Sequence, residues 1–117
     1  MRGREHDWCM SLHVRGEAGE VMTGTIRPGF NFYVKTVRLE PENARCACNR
    51  CEATVTGIFV DGKHLGLPEI QVREFIKKDE KMDINFFVLK GEDLELEVRF
   101  DTAGMVAVEF FGQAEFF

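Results

Sequence analysis

The stretch that decides the fold runs MDINFFVLKGEDLELEVRFDTAGMVAVEFF from Met82 to Phe111. In its middle part, from Leu94 to Phe100, every second residue is apolar and the residues between them are charged. A period of two is typical of a β-strand that has one face on a core and the other in water. Gly91 and Asp93 precede this segment and Gly104 follows it, and such residues favour turns at both of its ends.

Two more apolar segments flank this strand, so the stretch predicts three consecutive strands joined by short turns, an antiparallel meander. A meander has one apolar side, and a second layer of structure must cover that side. Near the start of the chain, alternation from Trp8 to Val14 predicts a first strand. Cys9 and His13 are expected on the side of that strand that faces away from its apolar residues.

The longest strand pattern before Met82 runs from Phe30 to Glu40, and its alternation shifts by one residue near Lys35-Thr36. Such a shift indicates a β-bulge or a strand that passes from one sheet to the other. The strand pattern Ala53–Val60 ends at Asp61-Gly62, a dipeptide that favours a two-residue hairpin turn. About eight or nine short strands, separated by turn signals, predict an all-β fold: an antiparallel two-sheet sandwich that is jelly-roll-like.

The totals of the sequence limit the classes of function. A chain of 117 residues is long enough for one core, and we expect residues 1–7 to form a flexible arm and residues 8–117 a single sandwich domain. The net charge of −5 argues against binding to nucleic acid, whose readers usually carry a basic stripe. No apolar run approaches the roughly 18 residues of a membrane helix, and no signal peptide is visible, so we expect synthesis in a reducing cytoplasm.

Three of the four cysteines lie close together, in Cys46-Ala-Cys48-Asn-Arg-Cys51. Their polar neighbours predict an exposed loop, in which thiols do not serve as core packing. We favour disulfide crosslinks, within the chain or to another chain, formed by Cys46, Cys48 and Cys51 and also by Cys9. A structural zinc ion held by the same four residues, with a histidine as another choice for the fourth ligand, is the alternative. Redox-responsive thiols are a third hypothesis.

The aromatic residues are mostly phenylalanine, eleven of them against one tyrosine and one tryptophan. Because phenylalanine has no polar atom, these rings are expected in the core or in a buried interface. Phe116 and Phe117 predict either burial in the chain's own sheet or contact with a partner, and Trp8 joins them as a candidate interface residue. No spacing of serine, histidine, cysteine or acidic residues indicates a catalytic site, so no enzyme is predicted.

A wider pattern of strands and turns spans residues 53–112. Its parts are Val60-Asp-Gly-Lys63, the return through Gly66-Leu-Pro68, the strand Ile84–Leu89, and the segments Lys90–Phe100 and Val106–Gly112. This order resembles that of small jelly-roll proteins of virions, especially capsid-associated minor or decoration proteins of tailed phages. The resemblance covers no cysteine and no catalytic residue.

The resemblance implies a non-enzymatic structural protein of a virion, made in the host cytoplasm and needing no cofactor. Its partners would be other virion proteins, chiefly the major capsid protein, in a homo- or hetero-oligomer. Interchain disulfides would become stable once the particle reaches oxidising surroundings. The alternative function is a carbohydrate- or ligand-binding β-sandwich module, in which Trp8 and Tyr33 are the stacking rings and the cysteine loop can hold a structural zinc ion.

Overall fold

In a computed structural model of the chain, residues 4–39, 52–72 and 81–116 are described. Cys46, Cys48, Cys51 and Phe117 lie outside these residues. Within the described ranges the chain forms nine β-strands in two antiparallel sheets. The strands are β1 (Arg4–Gly16), β2 (Val21–Ile26), β3 (Asn31–Leu39), β4 (Ala53–Val60), β5 (Lys63–His64), β6 (Ile70–Gln71), β7 (Met82–Val88), β8 (Leu94–Phe100) and β9 (Gly104–Phe116).

The two sheets have the strand order of a jelly roll. One sheet has four strands in the order β1-β9-β3-β7. The other has five strands in the order β2-β8-β4-β5, and the short strand β6 pairs with β4 as well. The short strands β5 and β6 can be counted as one interrupted strand, so that each sheet has four strands. The chain then crosses to the opposite sheet at every connection except the β4–β5 hairpin. The predicted all-β sandwich is confirmed.

The core lies between the sheets and is built by alternation along the strands. In β8, the four apolar residues are fully buried and the three charged residues between them face outward. Phe32, Phe100 and Phe110 are the largest of the fully buried side chains. Each fully buried ring of this kind stabilises the fold by about 1.5–3 kcal/mol relative to an exposed one.

The shift in alternation near Lys35 is a β-bulge. The register of β3 slips between Val34 and Thr36 against both of its neighbours, so Val34 and Val37 are buried although three positions separate them. β3 remains in the four-stranded sheet throughout, so of the two predicted explanations the bulge is correct. At the same level β9 carries Gly112, where a Cβ would collide with the backbone carbonyl of Tyr33. Glycine is therefore required at that position.

One prediction about chain organisation is wrong, and the first strand begins earlier than expected. The expected meander does not form, because β7 and β9 belong to the four-stranded sheet and β8 to the other. Alternation shows that a strand has one buried face, but both sheets of a sandwich bury one face, so it does not assign the strand to a sheet. β1 begins at Arg4, ahead of the pattern that starts at Trp8, and residues 4–7 pair with β9 opposite residues 113–116.

The four-stranded sheet extends past the other sheet at one end. β1 and β9 have 13 residues each, whereas the longest strand of the five-stranded sheet, β4, has 8. Gly24 of β2 lies against Leu12 and Val14, and β2 ends at Ile26. The first residues of the edge strand β1 therefore continue beyond the end of β2, whereas Ala114, near the end of β9, is still fully buried.

Candidate functional site

Cys9 is the cysteine that the structure places. It lies on the solvent face of β1, as predicted, and its Sγ is 3.6 Å from Oε2 of Glu109 on the neighbouring strand. Among the residues that the structure describes, no group of three or more histidine, cysteine or acidic side chains is arranged to hold a metal ion. The other proposed thiols, Cys46, Cys48 and Cys51, fall outside those residues, so crosslinking and zinc binding both stay predictions.

The end cluster is a group of four aromatic side chains, His6, Trp8, Phe30 and Phe116, at the end where the long sheet is uncovered. The ring of Trp8 meets those of Phe30 and Phe116 edge to face, with centroids 5.5 and 5.3 Å apart, and Phe30 and Phe116 are 4.8 Å apart. These separations are favourable for aromatic pairs. His6 adds its ring 5.6 Å from that of Phe116.

The end cluster is only half covered. Trp8 keeps 40% of its surface exposed and Phe116 keeps 37%, although both side chains point to the inner side of their sheet. The structure thus brings together two of the three predicted interface residues, and Phe117 lies outside the described residues. Phe30 was not predicted at this surface. The signal for it is Pro28-Gly29, a turn that sends the chain across the end of the sandwich immediately before β3.

A surface ion pair holds the connection that carries Phe30. Nε of Arg27 is 2.9 Å from Oδ1 of Asp93, directly before β8. The hydrogen bond and the charge of this carboxylate raise the pKa of Arg27 above its usual value. The pair links the β2–β3 connection, which also carries Phe30, to the β7–β8 turn.

A second surface lies on the opposite, solvent-facing side of the same sheet. One row of side chains crosses all four strands at a single level: Asp7, Gln113, Tyr33 and Phe87. The rings of Tyr33 and Phe87 stack with centroids 4.5 Å apart and an interplanar angle of 30°. Nε2 of Gln113 donates a hydrogen bond of 2.7 Å to Oδ1 of Asp7. Phe87 is 62% exposed, although its ring stacks on that of Tyr33.

These rings form one wall of a groove of about 460 Å³ on the sheet face, which we call the ring groove. Hydrogen bonds fix its walls. The hydroxyl of Tyr33 donates to Oδ1 of Asn85 at 3.1 Å, and the backbone N–H of Lys90 donates to Oδ1 of Asn31 at 2.9 Å. Asn85 has a positive φ of 57° beside the bulge, a conformation that asparagine tolerates better than most residues. The groove is lined by Asn31, Tyr33, Lys35, Phe87, Leu89, Gln113 and Glu115.

The two predicted stacking rings, Trp8 and Tyr33, lie on opposite faces of the four-stranded sheet. Trp8 shares its level and its side of the sheet with Gly112 and Val34, which face the core side. Tyr33 is one residue earlier on β3 and therefore projects from the opposite face. The partner of Tyr33 is Phe87, which the sequence could have indicated, because Phe86 and Val88 on either side of it are the buried residues of β7.

Comparison with known proteins gives no relative: no protein-family model matches the chain, and no curated protein matches it. In the part of the chain that the structure describes, no helix is long and apolar enough to cross a membrane. Since one fold hosts many functions, function has to be inferred from the end cluster and the ring groove.

Proposed function

We propose that the chain is a non-enzymatic structural protein of a virion: a capsid-associated decoration, linking or minor capsid protein. Its jelly-roll strand order supports this proposal, because jelly rolls are frequent among capsid domains. The same architecture also occurs in lectins and enzymes, so strand order alone does not decide the function. The resemblance of residues 53–112 to decoration proteins adds to the support.

The observation that carries the proposal is the end cluster. Aromatic side chains that lie together and half exposed at one end of a sandwich suit a contact that covers them. Trp8 and Phe116 present this apolar surface at the end where the facing sheet stops. We infer that a capsid subunit covers the exposed part of the end cluster in the particle.

Covalent ties are the second part of the proposal. Cys9 lies on the solvent face of the edge strand β1, where a thiol of a neighbouring chain can approach it. Cys46, Cys48 and Cys51 supply further thiols. Particle proteins compared on non-reducing and reducing gels should show this chain in a band of higher mass only without reductant. Identical migration in both gels would remove the crosslinking role.

The proposal is tested by whether the chain is part of the particle and by which residues keep it there. Particles of the virus that encodes the chain are purified, and the amount of chain per capsid is measured by mass spectrometry. We expect a fixed stoichiometry for the native chain and at least about a tenfold loss for the variant Trp8→Ser, because an anchor ring at an interface contributes about 2 kcal/mol or more.

The matched control is Val21→Ser, which removes an apolar side chain that is 54% exposed on the five-stranded sheet. Its occupancy should equal that of the native chain. A thermal melt of each isolated variant shows that it is folded. Absence of the native chain from purified particles contradicts the proposal, and so does full occupancy by a folded Trp8→Ser variant.

A further inference from the structure

The ring groove has no part in the contact proposed for the end cluster, because it lies on the other face of the sheet. We propose that the ring groove is a binding site for a neutral oligosaccharide. The groove has a rigid floor of strands, an apolar wall of stacked rings and a rim of side chains that can donate and accept hydrogen bonds.

The size and position of the groove suit a short sugar chain. Its volume of about 460 Å³ falls within the range of about 300–1,000 Å³ that is typical of small-molecule sites. It runs over the face of the sheet instead of ending in a closed cavity, because its lining comes from side chains on β3, β7 and β9. An extended ligand can therefore enter along its length.

The apolar wall of the groove can contact the C–H groups of a sugar. A pyranose ring has a face of C–H groups, and an exposed aromatic ring offers a flat apolar surface on which that face can pack. Phe87 presents such a surface at 62% exposure, and Leu89 extends it at 50% exposure. Tyr33 supports Phe87 from the inner side of the stack, so the ring is held in place before a ligand arrives.

The polar rim of the groove can form hydrogen bonds with the hydroxyl groups of a sugar. Asn31 uses its carbonyl oxygen to accept the N–H of Lys90, which leaves the amide NH₂ as its donor. Gln113 uses its NH₂ to donate to Asp7, which leaves the carbonyl oxygen as its acceptor. Lys35 adds a donor and Glu115 adds an acceptor. Paired donors and acceptors around a ring are the groups that hydroxyls require.

The charges of the groove favour a neutral ligand. Lys35 and Glu115 line it with opposite charges, and Asp7 adds a carboxylate directly behind Gln113. The whole chain carries a net charge of −5. A phosphate or sulfate group would meet two carboxylates near one ammonium group, and Coulomb repulsion would weaken its binding. Nucleotides and acidic glycans are therefore disfavoured.

The site is preorganised. Its side chains stand on paired strands, and hydrogen bonds to Asp7, Asn85 and Lys90 fix Gln113, Tyr33 and Asn31 before binding. Groups that are already held lose little conformational entropy when a ligand binds. This arrangement differs from a solvated strand face, in which each polar side chain moves independently.

The test uses the whole chain and defined probes. Cellotriose, maltotriose, mannotriose and tri-N-acetylchitotriose are titrated into the protein by calorimetry, with trigalacturonic acid as the anionic comparison. We expect saturable binding of at least one neutral trisaccharide, with a Kd tighter than about 1 mM. The variants Phe87→Ser and Gln113→Ala should each weaken that binding by about tenfold, since each removes roughly 1.4 kcal/mol of contact.

Val21→Ser, on the other sheet, should bind the same sugar with native affinity. The proposal is overturned if no neutral probe binds, if trigalacturonic acid binds more tightly, or if a folded Phe87→Ser variant binds as the native chain does. Sedimentation equilibrium tests whether a second copy of the chain fills the groove instead. A dimer that dissociates in the Phe87→Ser variant would show this and would also overturn the proposal. The particle test with Trp8→Ser is independent of all these results.

Discussion

The end cluster and the ring groove are both aromatic, both partly exposed and both built on the four-stranded sheet, yet their exposure has different origins. Trp8 and Phe116 point to the core side but lie at its margin, because Trp8 stands on the edge strand β1 beyond the end of β2 and Phe116 is the last residue of β9. Phe87 lies on the edge strand β7 and points to the solvent face of the sheet, where no second sheet packs against it.

The difference shows that exposure alone does not define an aromatic side chain's role. A core-side ring at the end of a sandwich contributes to folding and also offers an apolar surface to a large partner. A ring on the solvent face contributes little to the core, and hydrogen-bonding groups surround it here. These two origins predict different effects of mutation.

The largest effect is expected at Gly112, the position on β9 where the two surfaces meet. Gly112→Ala places a Cβ against the backbone of β3 at Tyr33, so the strands must separate locally. We expect a loss of about 2–4 kcal/mol in the free energy of unfolding, measured by urea denaturation. Its neighbour Gln113→Ala is the control and should lose about 1 kcal/mol or less. Equal losses in the two variants would show that β3 and β9 are not so closely packed.

Removing one ring from each surface should have unequal effects. Trp8→Ala breaks contacts with Phe30 and Phe116 on the core side, and we expect a loss of about 1–3 kcal/mol. Phe87→Ala loses one stacked partner on the solvent side, and we expect less than about 1 kcal/mol. Chemical denaturation of both variants measures the difference. A greater loss for Phe87→Ala would contradict the distinction between core-side and solvent-side rings.

Double-mutant cycles measure whether residues of the two surfaces are energetically coupled. Tyr33 and Phe87 stack, so replacing each by alanine should show a coupling energy of about 0.5–1.5 kcal/mol. Trp8 and Phe87 lie on opposite faces, so their effects should add within about 0.5 kcal/mol. Strong coupling between Trp8 and Phe87 would mean that the sheet transmits strain between the two surfaces.

The smallest effect is expected at the surface ion pair between Arg27 and Asp93. Arg27→Ala removes the contact with Asp93, and both side chains are well exposed, so the thermal midpoint should fall only slightly. Because salt screens exposed charges, the difference from the native chain should vanish in 1 M NaCl. A large decrease that persists in salt would assign Arg27 a role in packing.

Much of the fold could be predicted because the alternation of apolar and polar residues shows which side of a strand is buried. The bulge at Lys35 and the hairpin at Asp61-Gly62 were both visible, and the hairpin residues have the positive φ values, 50° and 83°, that such a turn requires. The assignment of strands to sheets was not visible. β7, β8 and β9 alternate between sheets, and no local pattern distinguishes this order from a meander.

The sequence predicted several residues of the candidate surfaces, but it did not predict how these residues are arranged. Trp8 and Phe116 were predicted at an interface, but their contact depends on the register of β1 with β9, which joins residues about a hundred positions apart. Tyr33 was predicted as a stacking ring, but its contact with Phe87 was not predicted. The bulge and the sheet order together decide which side chains share a face, and only the bulge is indicated by the alternation.

The central claim is that a capsid partner covers the end cluster and leaves the ring groove open. Hydroxyl-radical footprinting, applied to the isolated chain and to the chain on purified particles, measures this directly. The account predicts strong protection of Trp8 and Phe116 on the particle and unchanged labelling of Tyr33 and Phe87. Unchanged labelling of Trp8, or protection confined to Phe87, would contradict it.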